Sequence, residues 1–242
     1  PTDRKRAQFF FRGDAQRRAL DYLRYALEQG RGTFVLTGPA GVGKTTLASR
    51  VIREWKSASD AVVLLSGERV GGNGVYRLLA AGLGLAHYSL PQPKLLGALE
   101  RNFSARLSRG GRSLLIIDDA DHLLRNELDE LSHLCNLNKS GHPLLQVFLI
   151  GRRLPYTWPA ERGRDDGIDQ LIGSYQLAPL LESEIPDFIQ QWGEHEGYKD
   201  LPRLPAALCE RVAQWSERRP RKLKRFCEQL RGVVAKGRGL VW

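Results

Sequence analysis

Apolar positions follow two rhythms along the first three quarters of this chain. Short unbroken apolar runs alternate with longer stretches in which apolar residues recur every three or four positions. The runs are Thr33–Thr37 (TFVLT), Ala61–Leu65 (AVVLL), Ser113–Ile117 (SLLII) and Leu144–Ile150 (LLQVFLI), with Tyr175–Leu177 a fifth candidate. Each is too short for a helix and reads as a strand buried on both faces. Between them lie helical patterns. The first runs from Asp14, expected as its N-cap, to about Gln29, with Leu20, Leu23 and Ala26–Leu27 on one face. Others follow the glycine turn after Thr37 to about Ser57, then cover Gly74–Leu83, Pro93–Leu107 and Asn126–Leu137. Strands alternating with helices predict a parallel five-stranded sheet covered by helices on both faces. After about Pro179 the rhythm changes. Glu182–Glu196, Pro205–Glu217 and Arg221–Val234 all read as helices, with no strand pattern left. The expected organisation is an α/β core over residues 1–180 and a small all-helical domain over residues 181–242.

Composition narrows this picture little. At 242 residues, with 42% hydrophobic and 26% charged, the chain has ordinary globular proportions. It contains no apolar run of the ~18 residues that would suggest a membrane span, and it opens with no signal-peptide pattern. Its three cysteines, Cys135, Cys209 and Cys227, are far apart. They suit buried thiols in a reducing compartment better than a disulfide framework or a zinc site. A cytoplasmic location is expected. The chain has no methionine and begins at Pro1, so it is expected to be a piece of something longer, whose remainder could include a membrane anchor or a partner-binding domain.

Charge is uneven. The net charge is +10, and Ser216–Trp242 holds nine basic residues (Arg218, Arg219, Arg221, Lys222, Lys224, Arg225, Arg231, Lys236, Arg238) against Glu217 and Glu228. A basic face attracts nucleic acid or anionic lipid. The same residues also suit a solvated helix face with one arginine turned to a nucleotide.

The chemistry is concentrated after the first strand. Gly38-Pro39-Ala40-Gly41-Val42-Gly43-Lys44-Thr45, followed by Thr46, spells G-x-x-x-x-G-K-[ST] between an expected strand and an expected helix. Successive backbone N–H groups must turn inward around phosphate oxygens, and glycine permits those angles. The helix that follows points its N-terminus at the same anion. Lys44 reaches the β- and γ-phosphates in such a loop, and the Thr45 hydroxyl holds Mg²⁺. The spacing is not that of a dinucleotide fingerprint, which also lacks the lysine.

A second set of residues sits at other strand ends. The Leu114–Ile117 run closes in Asp118 and Asp119. Acids at the carboxyl end of a central strand lie beside a phosphate loop; Asp118 is the candidate for the Mg²⁺ shell, and Asp119 for orienting the attacking water. Asp119 or Asp121 also suits a helix cap. His122 nearby reads as a surface or core histidine rather than a catalytic one. Arg152, after the fourth strand, is a candidate γ-phosphate contact or simply a surface charge. Arg221 opens the last helix, where a cation opposes the helix dipole and so calls for another partner; a nucleotide phosphate would be one.

Taken in order, GPAGVGKT, LLIIDD, LIGR and RRPRKLKRFC resemble AAA+ ATPases, and most closely the bacterial GspA/ExeA group of secretion-associated ATPases, with the TniB/TnsC-type transposition ATPases as neighbours. The aromatic patch Phe9-Phe10-Phe11 followed by Ala19-Leu20 and Tyr25-Ala26-Leu27 adds to the likeness, as do Ile117–Leu123, Leu134–Leu137, Leu144–Gln146 and Leu149–Arg152. The resemblance implies ATP or ADP with Mg²⁺ held between an α/β core and a helical lid, and rings or filaments of protomers. It also implies an aromatic of Phe9–Phe11 near the adenine, although packing under the first helix is the plainer reading of those residues. Three departures bear on hydrolysis rather than on binding. Asp119 stands where the group has glutamate, and Arg152 where it has glutamine. The arginines that act in trans before the fifth strand have no clear counterpart in Gln170–Tyr175, with Arg162 and Arg164 as upstream substitutes.

Three readings follow. The first is an ATPase motor or assembly factor for a cell-envelope secretion system, with an inner-membrane partner. The second, less favoured, is a DNA-binding regulator of transposition type. The third is a nucleotide-gated switch that hydrolyses ATP slowly.

Overall fold

A computed structural model describes residues 9–30, 32–55, 57–70, 74–85, 90–153, 171–197 and 204–234. Its elements in chain order are α1 (Asp14–Gln29), β1 (Thr33–Thr37), α2 (Lys44–Trp55), β2 (Ala61–Ser66), α3 (Gly67–Val70), α4 (Val75–Gly82), α5 (Gln92–Leu107), β3 (Ser113–Asp118), α6 (Arg125–Cys135), β4 (Asn138–Lys139), β5 (His142–Pro143), β6 (Gln146–Ile150), β7 (Leu171–Gln176), α7 (Ile185–Glu196), α8 (Ala206–Ser216) and α9 (Pro220–Val234). Single 3₁₀ turns cover Ala120–His122 and Glu182–Glu184. The chain groups into two compact units, residues 20–38 with 47–176, and residues 1–19 with 39–46 and 177–242.

The first unit is built on a five-stranded sheet in the order β2-β3-β6-β1-β7, with every pairing parallel. All residues of β6, and all but the last of β1 and β3, are buried, as unbroken apolar runs require when both faces are covered. Alternate side chains serve opposite faces. Val35, Leu115, Ile117, Val147 and Leu149 join one core with Tyr76 and Leu79 of α4, Leu95, Leu99 and Phe103 of α5, and Leu128, Leu131 and Leu134 of α6. On the other face the Phe34 and Phe148 rings meet edge to face at 5.7 Å. There α1 is anchored by Tyr22 against Phe34 and by the Gln146 amide donating to the Ala26 carbonyl at 2.6 Å.

The amino-terminal edge of the sheet is tied by one buried acid. Asp60 accepts from the Ser57 amide (3.1 Å), the Ser57 hydroxyl (2.9 Å) and the Arg112 amide (2.9 Å). The Arg112 guanidinium lies 4.1 Å from the centre of the Trp55 ring. Burial opposes ionisation of Asp60, but these hydrogen bonds outweigh it and hold the carboxyl below its ordinary range.

The second unit gathers α7, α8 and α9 around Phe188, Trp192, Val212, Leu223 and Cys227. Phe11 is buried in this cluster, and Phe9 packs at its edge, each ring 5.4 Å from Phe188. All three cysteines are buried free thiols. Burial pushes Cys135 up to about 11, Cys227 up to about 12, and Cys209 above its ordinary value.

Two local features differ from the sequence expectation. Gly13, not Asp14, caps α1: the Arg17 amide bonds to the Gly13 carbonyl at 2.9 Å. Asp14 is the first helical residue, its amide taken by Glu184 at 2.6 Å and its carboxylate by Arg18 at 2.9 Å. The β4–β5 hairpin, unanticipated, turns through Ser140 and Gly141, both at positive φ as a two-residue hairpin loop demands.

Candidate functional site

Parallel pairing sets the geometry of the first unit's carboxyl edge. The register Leu36↔Ile150 and Ile117↔Leu149 brings the ends of β1, β6 and β3 to one side of the sheet. Gly38 leaves β1 there, Gly151 and Arg152 leave β6, and Asp118 ends β3. The Gly151 amide donates to the Leu36 carbonyl at 3.1 Å, which ties the β6 exit to the strand that feeds the phosphate loop.

Asp118 is half-buried, and its carboxylate accepts the Asp119 amide at 3.0 Å. Asp119 is exposed and adopts a left-handed conformation, φ 52° and ψ 42°. Burial and the charges of Asp118, Asp121 and Glu68 raise its carboxyl above the ordinary range. The turn that carries it leans on Gly67, where a Cβ would stand 2.2 Å from the Asp119 carbonyl oxygen. Asp121 does a separate job, accepting the Arg152 amide at 3.0 Å, so it fixes the backbone on which Arg152 stands. The Arg152 side chain is exposed. His122 lies at the surface, 4.0 Å from Glu68. Neither Gly67 nor the Asp121 bond is announced by the sequence, because both act through backbone groups of residues distant along the chain.

From Pro39 to Thr46 the phosphate loop falls in the second unit. Gly41 and Gly43 take φ of 81° and 104°, conformations that L side chains resist, as a loop with inward N–H groups requires. A Cβ on Gly43 would meet no atom within 4 Å, so the loop is open at that point, and α2 starts at the next residue. These features fit a bound phosphate chain. Lys44 is nearly buried, and its Nζ donates to the Pro39 carbonyl at 3.1 Å.

Helix α9 meets this loop. The Arg221 amide donates to the Gly41 carbonyl at 3.0 Å, and Arg219 Nη1 reaches the Ala40 carbonyl at 3.5 Å. Sequence reasoning singled out Arg221 and missed Arg219. A cavity of about 450 Å³ opens beside Pro39, bordered by Pro179, Glu182, Gln214 and Glu217–Arg219. Arg162, Arg164 and Gln170 lie outside the described residues, as do Lys236 and Arg238.

A parallel sheet in this strand order, with a G-x-x-x-x-G-K-T loop between its first strand and the following helix, defines the P-loop class of α/β proteins. Within that class, the family model described as "AAA domain" matches residues 27–154, just over half of the chain. The chain belongs to this family of P-loop ATPases. It is 26% identical over 189 residues to general secretion pathway protein A of Aeromonas hydrophila, an alignment that takes in 76% of this chain and 34% of that protein. The chain therefore spans about a third of this relative's length. Among solved structures, the Holliday junction branch migration motor RuvB of Thermotoga maritima aligns with a TM-score of 0.57 at 17% identity, over 92% of this chain and 62% of that one. The Cdc6p of Pyrobaculum aerophilum aligns with a TM-score of 0.65 at 15% identity, over 98% and 67%. The ORC2 protein of Aeropyrum pernix aligns with a TM-score of 0.62 at 16% identity, over 93% and 64%. At these identities the likeness is one of fold.

Proposed function

We propose that this chain binds ATP with Mg²⁺ and hydrolyses it, with residues 1–180 as the nucleotide-binding core and residues 181–242 as a helical lid. ATP-dependent lid closure and self-assembly into rings or filaments would serve a cell-envelope secretion or assembly system on the cytoplasmic side, with an inner-membrane partner. The observation that carries the nucleotide reading is the phosphate loop, Gly38–Thr45, with its three glycines at positive φ and α9 seated on its carbonyls. The secretion reading rests on the similarity to general secretion pathway protein A.

In this reading the amides of Gly41–Thr45 and the Lys44 ammonium hold the phosphates, with Pro39, Ala40 and Thr46 completing the loop's contacts. Thr45 and Asp118 hold the metal, which supplies charge neutralisation at the phosphates when bound. Asp119 orients water. Arg152 and Arg221 stabilise the γ-phosphate. Among the described residues no helix is long and apolar enough to cross a membrane.

The test is equilibrium binding of a fluorescent ATP analogue to the wild type and to Lys44→Ala. Loss of a charge-assisted contact predicts at least about a 10-fold weaker affinity; unchanged affinity overturns the site. A DNA-binding role has one observation in its favour, the exposed Lys224 and Arg225 of α9. It predicts DNA affinity at about 50 mM salt that falls steeply as salt rises. A slow switch is favoured by the short, left-handed Asp119, and it predicts tight nucleotide binding with background turnover.

A further inference from the structure

Three consecutive carbonyls of the phosphate loop are engaged inside the helical unit. Pro39 accepts from Lys44 Nζ, Ala40 from Arg219 Nη1, and Gly41 from the Arg221 amide. The carbon stem of Arg221 covers Gly41 as well: a Cβ there would lie 3.0 Å from Arg221 Cβ and 3.5 Å from its Cδ. In a planar trans peptide the C=O and the next N–H point in opposite directions. Holding the Ala40 and Gly41 carbonyls toward α9 therefore aims the Gly41 and Val42 N–H groups away from it. Those are the groups a phosphate cradle needs to present.

The turn before α9 is shaped to keep this contact. Glu217 and Arg218 are both left-handed, with φ of 53° and 56°. Arg218 is tied at both ends, its amide to the Ala213 carbonyl (3.2 Å) and the Ser216 hydroxyl (3.1 Å), its carbonyl accepting the Leu180 amide (3.0 Å). The Glu217 carboxylate bonds to both Arg219 and Lys222. One acid thus fixes two cations at the start of α9, and one of these is the arginine at Ala40.

We propose that Arg219 and Glu217 are positioning residues. With the Arg221 amide they form a brace that sets the peptide orientation of the phosphate loop. The inference rests on the nucleotide reading above and extends it: the brace acts on amides that serve ADP and ATP alike, whereas a γ-phosphate contact would serve ATP alone.

The experiment measures binding of fluorescent ADP and ATP analogues to the wild-type chain and to Arg219→Ala, Glu217→Gln and the double variant. Arg219→Ala should weaken both nucleotides by similar factors, about 3- to 10-fold. Glu217→Gln should weaken both in the same direction by a smaller factor. The double variant should match Arg219→Ala, because Glu217 acts through Arg219. Arg219→Lys should recover part of the loss. In the ADP-bound chain, amide exchange at Gly41 and Val42 should quicken in Arg219→Ala while the melting temperature of the free chain holds.

Tighter binding in Glu217→Gln overturns the brace, since the acid would then only mask positive charge. A loss confined to ATP in Arg219→Ala also overturns it. The amide is isolated by comparing Arg221→Pro with Arg221→Ala. Proline is tolerated in a first helical turn but cannot donate, so Arg221→Pro should lose about 3- to 10-fold more ADP affinity; equal losses overturn the backbone half. A wild-type chain that binds neither nucleotide overturns the nucleotide reading and the brace with it. A chain that binds both, with unchanged variants, overturns the brace alone.

Discussion

Gly67 and Asp119 come together closely enough that no side chain fits between them: a Cβ on Gly67 would sit 2.2 Å from the Asp119 carbonyl oxygen. The first residue of α3 therefore acts as the seat for the left-handed turn that follows β3. Gly67→Ala must push that turn away and carry Asp118 and Asp119 with it. Overpacking against backbone predicts a stability loss of about 1–3 kcal/mol, visible in a urea midpoint. ATP turnover should fall more than ATP affinity. An unchanged midpoint would show that the seat has slack.

Asp119 itself carries an electrostatic cost. Its carboxyl is raised, so the folded state holds the proton more tightly than the unfolded chain does. Between the ordinary carboxylate range and the raised value, stability drops as pH rises, and the deficit persists at neutral pH. Asp119→Asn should thus stabilise the protein at pH 7, by less than about 1 kcal/mol because solvent screens an exposed group. If Asp119 orients the attacking water, the same variant loses roughly 10²- to 10⁴-fold in turnover. Thermal melts and phosphate release measured side by side check both halves.

Asp60 has the opposite sign. Its carboxyl is depressed by the amides and hydroxyl it accepts from, so its contribution is complete above the ordinary carboxylate pKa of about 4. It is lost as pH falls through the lower folded value. Asp60→Ala strands the Ser57 and Arg112 amides and should cost about 2–4 kcal/mol at pH 7. Asp60→Asn should flatten the acid limb of a stability profile between pH 5 and pH 3, and a limb as steep as wild type would remove Asp60 from the account.

The proposed metal residues make a separable pair. Thr45→Ala and Asp118→Asn should each lower ATP turnover by at least about 10-fold, and chelation of Mg²⁺ should do the same to the wild type. Raised Mg²⁺ should recover part of the activity of Asp118→Asn, read as phosphate release against metal concentration. A variant with wild-type metal dependence would free that residue from the role.

The strands were legible because strands buried on both faces spell themselves as apolar runs: TFVLT, SLLII and QVFLI all lie in the sheet. The phosphate loop was legible because its chemistry is local to eight residues. What escaped was nonlocal. Asp14 has the right side chain for a helix cap, yet Glu184, far along the chain, takes its amide and Gly13 caps instead. The β4–β5 strands are two residues each, too short for any periodicity. Among the clustered arginines before α9, only the left-handed turn at Glu217–Arg218 determines that Arg219 faces Ala40. Phe9 and Phe11 have no spacing that names their core, and they pack on Phe188.

The buried thiols have a practical use. Alkylating reagents attack thiolates, and Cys135, Cys209 and Cys227 are all enclosed with their deprotonation disfavoured. The natural sequence is therefore a quiet background for dye labelling. A cysteine introduced at exposed Leu181 or Tyr25 would be modified selectively without first stripping out the native ones. A donor and acceptor pair at those two positions, one in each compact unit, would let their separation be followed as nucleotide is added.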